Sequence, residues 1–202
     1  MKTLYISIIV LIGISTNSMA QEKSRKEKEG DKYSFRYAFD KAISSYNHAK
    51  KLTPEGQRRL AEDHQNLNQT VEAEIVYSKL IASNESIIPI DHYNYAMILK
   101  TNGKYEESGK QMDKFVSLAP SDLRAKSYSN NKEKLEGMLK DDGKYKIEHL
   151  NVNTDAQDFG TSYYNNKIVF TSTRATPKII KRKYNWNGKP FLDMYVSNLD
   201  GI

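Results

Sequence analysis

The four histidines, His48, His64, His92 and His149, are the side chains best suited to proton transfer or metal binding, and they are scattered. None has a His, Asp or Glu at ligand spacing, so they read as packed, hydrogen-bonded residues rather than a zinc set. The chain has no cysteine, which excludes disulfides, thiolate metal sites, thiol nucleophiles and an N-terminal lipidated cysteine. Asp158-Phe159-Gly160 could hold magnesium for phosphoryl transfer, but no Gly-rich loop, lysine strand or catalytic loop accompanies it. The serines lack a nucleophile-elbow context, and no Gly-x-Gly or Walker pattern occurs. No catalytic residue, cofactor or metal site is expected, and the chemistry left to the chain is binding.

The charge balance narrows the partners. The net charge is +6 with both signs mixed along the chain, and only 23–32 and 178–183 are locally basic. A nucleic-acid protein gathers its basic residues on one face, so nucleic acid is not an expected partner. Residues 1–20 carry an address. Lys2 precedes an apolar core, Leu4–Ile14, and Ser18-Met19-Ala20 offers small residues to a signal peptidase. Cleavage is expected after Ala20. The apolar run falls short of the roughly 20 residues that span a bilayer, and no later stretch is longer, so the mature chain is expected to be exported without a transmembrane span.

Residues 21–32 (QEKSRKEKEGDK) are charged and aperiodic, and read as a flexible leader. Helical periodicity opens at Tyr33 and runs through Tyr37, Phe39, Ala42, Ile43, Tyr46, Ala49 and Leu52 to Pro54. Three segments then align. Ala42, Tyr46, Ala49 and Pro54 match Ser108, Met112, Phe115 and Pro120 at identical internal spacing, with Ala73, Tyr77 and Leu80 between them lacking the proline. The small anchors Ala42, Ala73 and Ser108 lie 31 and 35 residues apart. Leu60-Ala61-x-x-His64 and Tyr95-Ala96-x-x-Leu99 fit the preceding helices, and Gly103-Lys104-Tyr105 fits the turn. These residues resemble tetratricopeptide repeats, whose period is about 34 residues. The resemblance implies α-hairpins over residues 33–140, with Leu123–Leu139 as a capping helix.

The same alignment implies a concave groove lined by the outward positions of each first helix. These are Glu55, Arg58, Glu62, Gln65 and Asn66 in one unit, and Ile90, Tyr93, Met97, Lys100 and Thr101 in the next. Mixed charge beside Tyr93 and Met97 suits an extended or helical peptide, and Arg58 is the one carboxylate binder among them.

Asp141-Asp142-Gly143 breaks the helical pattern, and from Lys144 the period approaches two. Tyr145–Leu150 alternates as a strand would. Thr161–Tyr164, Asn165-Asn166 and Lys167–Thr171 read as a hairpin, and Phe191–Ser197 as a further strand. A basic insert, 175–190, separates them, and its Trp186 is expected to pack on the sheet. Phe159-Gly-Thr-Ser-Tyr-Tyr-Asn-Asn-Lys-Ile-Val-Phe170-Thr-Ser-Thr-Arg174, with Asp193-Met-Tyr195-Val and Asp200-Gly201, is similar to the opening blade of TolB-like (WD-repeat-like) β-propellers. Signal peptide, tetratricopeptide helices and such a blade occur in that order in OmpA-family envelope proteins, including periplasmic components of type IX secretion and gliding systems. Asp200-Gly201 is a hairpin-turn dipeptide one residue from the end, so the chain reads as an N-terminal fragment.

The fold class expected is therefore α+β and multidomain: a tetratricopeptide-type α-hairpin array at 33–140, then the truncated first blade of a β-propeller at 144–202. The function implied is a non-enzymatic scaffold, periplasmic and outer-membrane-associated, that holds envelope or secretion-system proteins. Peptidoglycan contact would need a domain beyond this chain. The alternative is a ligand- or glycan-binding propeller protein with the helices as a spacer.

Overall fold

The computed structural model describes residues 22–138, 143–174, 176–177 and 182–198. The signal peptide and its cleavage site, Asp141-Asp142, 178–181 and Asp200-Gly201 lie outside them. The described chain is α+β, with seven helices followed by a three-stranded antiparallel sheet.

The helices pair consecutively. α1 (Arg25–Phe35) packs on α2 (Phe39–Asn47), α3 (Pro54–Asn66) on α4 (Thr70–Ser83), and α5 (Pro89–Thr101) on α6 (Tyr105–Leu118). α7 (Leu123–Met138) covers α6. One turn joins the helices of every pair. Tyr37, Asn68 and Gly103 each hold positive φ, at 55°, 58° and 76°. The next amide reaches back to the last helical turn, from Ala38 N to Tyr33 O (3.0 Å), Gln69 N to His64 O (2.9 Å) and Lys104 N to Leu99 O (2.8 Å). This is the six-to-one bond of a Schellman turn, which satisfies helix-end carbonyls. The three turn residues are spaced by 31 and 35, as are Ala42, Ala73 and Ser108.

The small residues sit where the helices touch. Ala42, Ala61, Ala73 and Ala96 are wholly buried, and the Ser108 hydroxyl, also buried, donates to Ala96 O at 2.8 Å. Tyr46, Tyr77 and Met112 fill the grooves beside them. Apolar clusters follow the same order, with Ala42, Tyr46 and Leu60 first, Ala61, Tyr77, Leu80 and Ile98 next, and Ala96, Met112, Phe115 and Ala125 last.

The expected flexible leader, 21–32, is corrected, because most of it is α1. Ser24 caps that helix, accepting from Glu27 N. Its charged residues are held by tertiary contacts that a composition argument does not register. The buried Glu27 carboxylate accepts the Thr53 amide at 3.2 Å and the Thr53 hydroxyl, fixing the start of α3. Asp31 accepts the Tyr46 hydroxyl at 2.8 Å and pairs with Lys23 at 2.7 Å. Gly30 lies against the Tyr46 ring, where a Cβ would fall 2.6 Å from Cε1. The periodic run from Tyr33 is likewise not one helix, since the turn at Tyr37 divides it into the end of α1 and all of α2.

The sheet is a meander, β1 (Asp158–Tyr164), β2 (Lys167–Ser172) and β3 (Asp193–Asn198), in the order β1-β2-β3. Asn165 and Asn166, at φ 45° and 56°, make the tight turn between the first two strands. Ile168, Phe170 and Ser172 of the central strand are buried, and Phe170 stacks on Tyr195 of β3. The strand expected at Tyr145–Leu150 does not form. Tyr145 and Ile147 stand in solvent, so the alternation has no partner strand to act on. Trp186 also departs from expectation, because it packs on the helices rather than on the sheet.

Candidate partner-binding groove

The outward row of α3 is a chain of charges. Glu55 accepts from Arg59 at 3.0 Å, one helical turn apart. Arg58 reaches across to α5, where Nε meets Asp91 Oδ1 at 2.7 Å and Nη2 meets Asp91 Oδ2 at 2.9 Å. Asp91 is buried, and its Oδ2 also accepts the Ile88 amide at 2.9 Å, so one carboxylate caps α5 and receives a bidentate guanidinium. Arg58 donates to Ser86 O as well. The guanidinium proposed as the binder of a partner's carboxylate therefore already holds a carboxylate of its own chain, and the hydrogen bond to Asp91, with its charge, stabilises the protonated form against desolvation. Arg58 fastens the second hairpin to the third. Glu62 completes the row, and desolvation raises its carboxyl, helped by Glu55 and Asp91 and opposed by Arg59.

The α5 candidates lie elsewhere. Tyr93 and Met97 pack against the cluster of Ala96, Met112, Phe115 and Ala125. The Tyr93 ring is 5.3 Å from that of Phe115, and the Arg124 guanidinium of α7 lies 4.6 Å above it. α7 thus covers part of the apolar surface assigned to a partner. Lys100 and Thr101 are exposed, and the Thr101 hydroxyl donates to Met97 O at 3.0 Å. Gln65 is exposed at the end of α3. The carbonyl of neighbouring Asn66 accepts the Trp186 indole N–H at 3.2 Å. The structure gathers Glu55, Arg58 and Glu62 into one charged row. It leaves Lys100 and Thr101 at the far end of α5, and gives Tyr93, Met97 and Asn66 partners within the chain.

Trp186 marks a contact that the sequence does not announce. Its ring stacks parallel to Tyr37 at 6.1 Å and stands edge-on to Phe39 at 4.7 Å. Gly188 lies against the Asp40 carboxylate, where any side chain would collide. The loop after β2 is thereby seated on the turn between α1 and α2, roughly 145 residues earlier in the chain.

The histidines are engaged by neighbours. His64 Nδ1 donates to Gln69 Oε1 and His92 Nδ1 to Gln111 Oε1, each at 2.7 Å, and His48 Nδ1 donates to Ser44 O at 2.7 Å. Asp158 of the Asp-Phe-Gly tripeptide accepts from Arg174 at 2.9 Å and caps Thr154. Hydrogen bonds from Ser172 and Arg174 hold its carboxyl below the usual range. Among the described residues no three His, Asp or Glu side chains are grouped to hold a metal ion.

Comparison with family models, curated proteins and solved structures finds no match to the chain.

Proposed function

We propose that the chain is a non-enzymatic scaffold of the cell envelope, in which a tetratricopeptide-type array holds a protein partner ahead of the first blade of a β-propeller. The observation that carries this reading is the shared register of three hairpins. Turn, small anchor and groove-filling residue recur together at Tyr37/Ala42/Tyr46, Asn68/Ala73/Tyr77 and Gly103/Ser108/Met112. Stacked hairpins of this kind make an extended surface for a segment of another protein. The blade reading is supported by the three-strand meander and by Arg174. Its guanidinium lies 5.0 Å from the Phe170 ring and 4.8 Å from Tyr195, so the motif Thr-Ser-x-Arg closes on the strands around it.

Periplasmic placement near the outer membrane rests on the leader sequence, with secretion or envelope proteins as partners. Among the described residues no helix is long and apolar enough to cross a membrane. The test is a pull-down from an envelope extract with the chain from residue 21 as bait. The exposed outward residues are reversed in charge in Glu62→Lys and Lys100→Glu. Recovery of a specific partner should fall several-fold in both variants. Recovery from both variants as full as from the parent would overturn the groove assignment, and no specific recovery by the parent chain would overturn the scaffold reading itself.

A further inference from the structure

A second concavity lies between the first two hairpins. It is walled by the end of α2, the loop that follows it, α3 and α4, and its volume is about 510 Å³, within the roughly 300–1,000 Å³ of ligand clefts. Its apolar floor is Leu52, Leu60 and Val76, with Ile75 beside them still 48% exposed. Its rim carries Lys50, Lys51 and Lys79.

Those lysines stand apart from others on the helices. Lys104, Lys110 and Lys132 each reach an acidic partner, at 2.6, 2.8 and 2.7 Å. Lys50, Lys51 and Lys79 are in no ion pair among the described residues, and Glu72 is the one acid lining the same groove. An apolar trough with an unneutralised cationic rim calls for one kind of occupant. Aliphatic side chains would fill the trough, and carboxylates would meet the lysines.

We propose that this groove binds an acidic, leucine-bearing segment of a partner protein, separately from the charged row of α3. The inference rests on the partner-holding reading only in taking the ligand to be a protein. The lysines supply on-rate and selectivity, since exposed charges steer encounter more than they add affinity. Ile75 and its neighbours supply the buried contact.

Fluorescence anisotropy tests this with the chain from residue 21 titrated into a short fluorescein-labelled peptide repeating Glu-Leu-Glu-Glu-Leu-Asp. Binding should saturate, weaken as sodium chloride is raised, and be absent for the same peptide with lysine in place of each acid. The Lys50→Glu/Lys51→Glu/Lys79→Glu variant should weaken it by about tenfold or more, and Ile75→Ser alone should also weaken it. Helical circular dichroism confirms that each variant is folded. If the triple variant does not fold, Lys79→Gln should still weaken binding and flatten its salt dependence. Failure to saturate, or affinity unchanged in the lysine and Ile75 variants, overturns the proposal. So does lysine-dependent binding to phosphatidylglycerol vesicles without peptide binding. The pull-down separates the two readings, because lysine variants that recover the partner normally leave the scaffold reading standing and remove this one.

Discussion

At the residue scale, the first two hairpins bury acids beside their apolar clusters. Asp63 of α3 is buried, accepts the Ser34 hydroxyl of α1 at 2.8 Å, and among the described residues has no donor to Oδ2. Burial pushes its carboxyl up from 3.8 to about 7, against the Ser34 hydrogen bond; Glu62 and Asp31 raise it further, and Arg59 lowers it. Tyr46, hydrogen-bonded to Asp31, is likewise raised by burial. A folded value above the unfolded one means that the native state binds the proton more tightly. Between about pH 4 and 7 the unfolded chain holds fewer protons here, so this site's contribution to stability falls as pH rises and levels off above the folded value. The slope can reach at most about 1.4 kcal/mol per pH unit. Denaturant melts across that window should show the decline. Asp63→Asn, which mimics the protonated acid, should flatten it and leave the protein more stable than the parent at pH 8. A parent and variant with parallel pH profiles would remove Asp63 as the cause.

At the element scale, the Trp186 loop joins distant parts of the chain at the α1–α2 turn. Tyr37 holds a left-handed backbone, which costs a non-glycine residue roughly 1–2 kcal/mol, and the residue is 64% exposed. Its partner Trp186 is the only tryptophan in the chain, so emission reports this contact alone. Tyr37→Ala should shift that emission to the red, raise its quenching by acrylamide, and speed tryptic cleavage at Lys183 and Lys189, while helical circular dichroism is retained. Unchanged emission would mean that the stack does not hold the loop. The same region shows what the sequence made legible. Ala42, Ala73 and Ser108 announce the second helices because small residues recur against large ones. The first helix, α1, was hidden by its charge, since Glu27 and Asp31 look solvated until Thr53 and Tyr46 are brought to them. A signal was present: Gly30, Ala61 and Ala96 are spaced by the same 31 and 35 residues. Glycine is a poor helix former, so at Gly30 the spacing outweighs the propensity. The groove was legible only in outline. Arg58 stands on the outward row as expected, but its pairing with Asp91 joins residues 33 apart and follows from how two hairpins stack. The failed strand at Tyr145–Leu150 makes the complementary point, that alternation needs a neighbouring strand before it means anything.

At the scale of the molecule, the two halves are built with different reserves. Each helical hairpin buries small and aromatic residues against the next, and its contacts run mostly between neighbours in sequence, so the array gains stability additively along its length. The sheet has less to draw on. β1 is exposed at almost every position, with Tyr163 78% accessible, and on β3 Met194 and Val196 face solvent. Phe170, Ile168 and the stacked Arg174 are its main buried contacts, and β1 and β3 each present an unpaired edge among the described residues. Local opening free energies follow buried contact density. Hydrogen exchange read by mass spectrometry should therefore resolve two tiers. Amides of α3 to α6 should exchange only through global unfolding, whereas those of β1 to β3 should exchange faster by orders of magnitude. The Trp186 loop links the tiers, so Tyr37→Ala should speed exchange in β2 and β3 and leave α5 and α6 unchanged. Exchange in the sheet as slow as in the helices would mean that the halves unfold as one cooperative unit. The array would then owe its stability to the sheet as well as to its own hairpins.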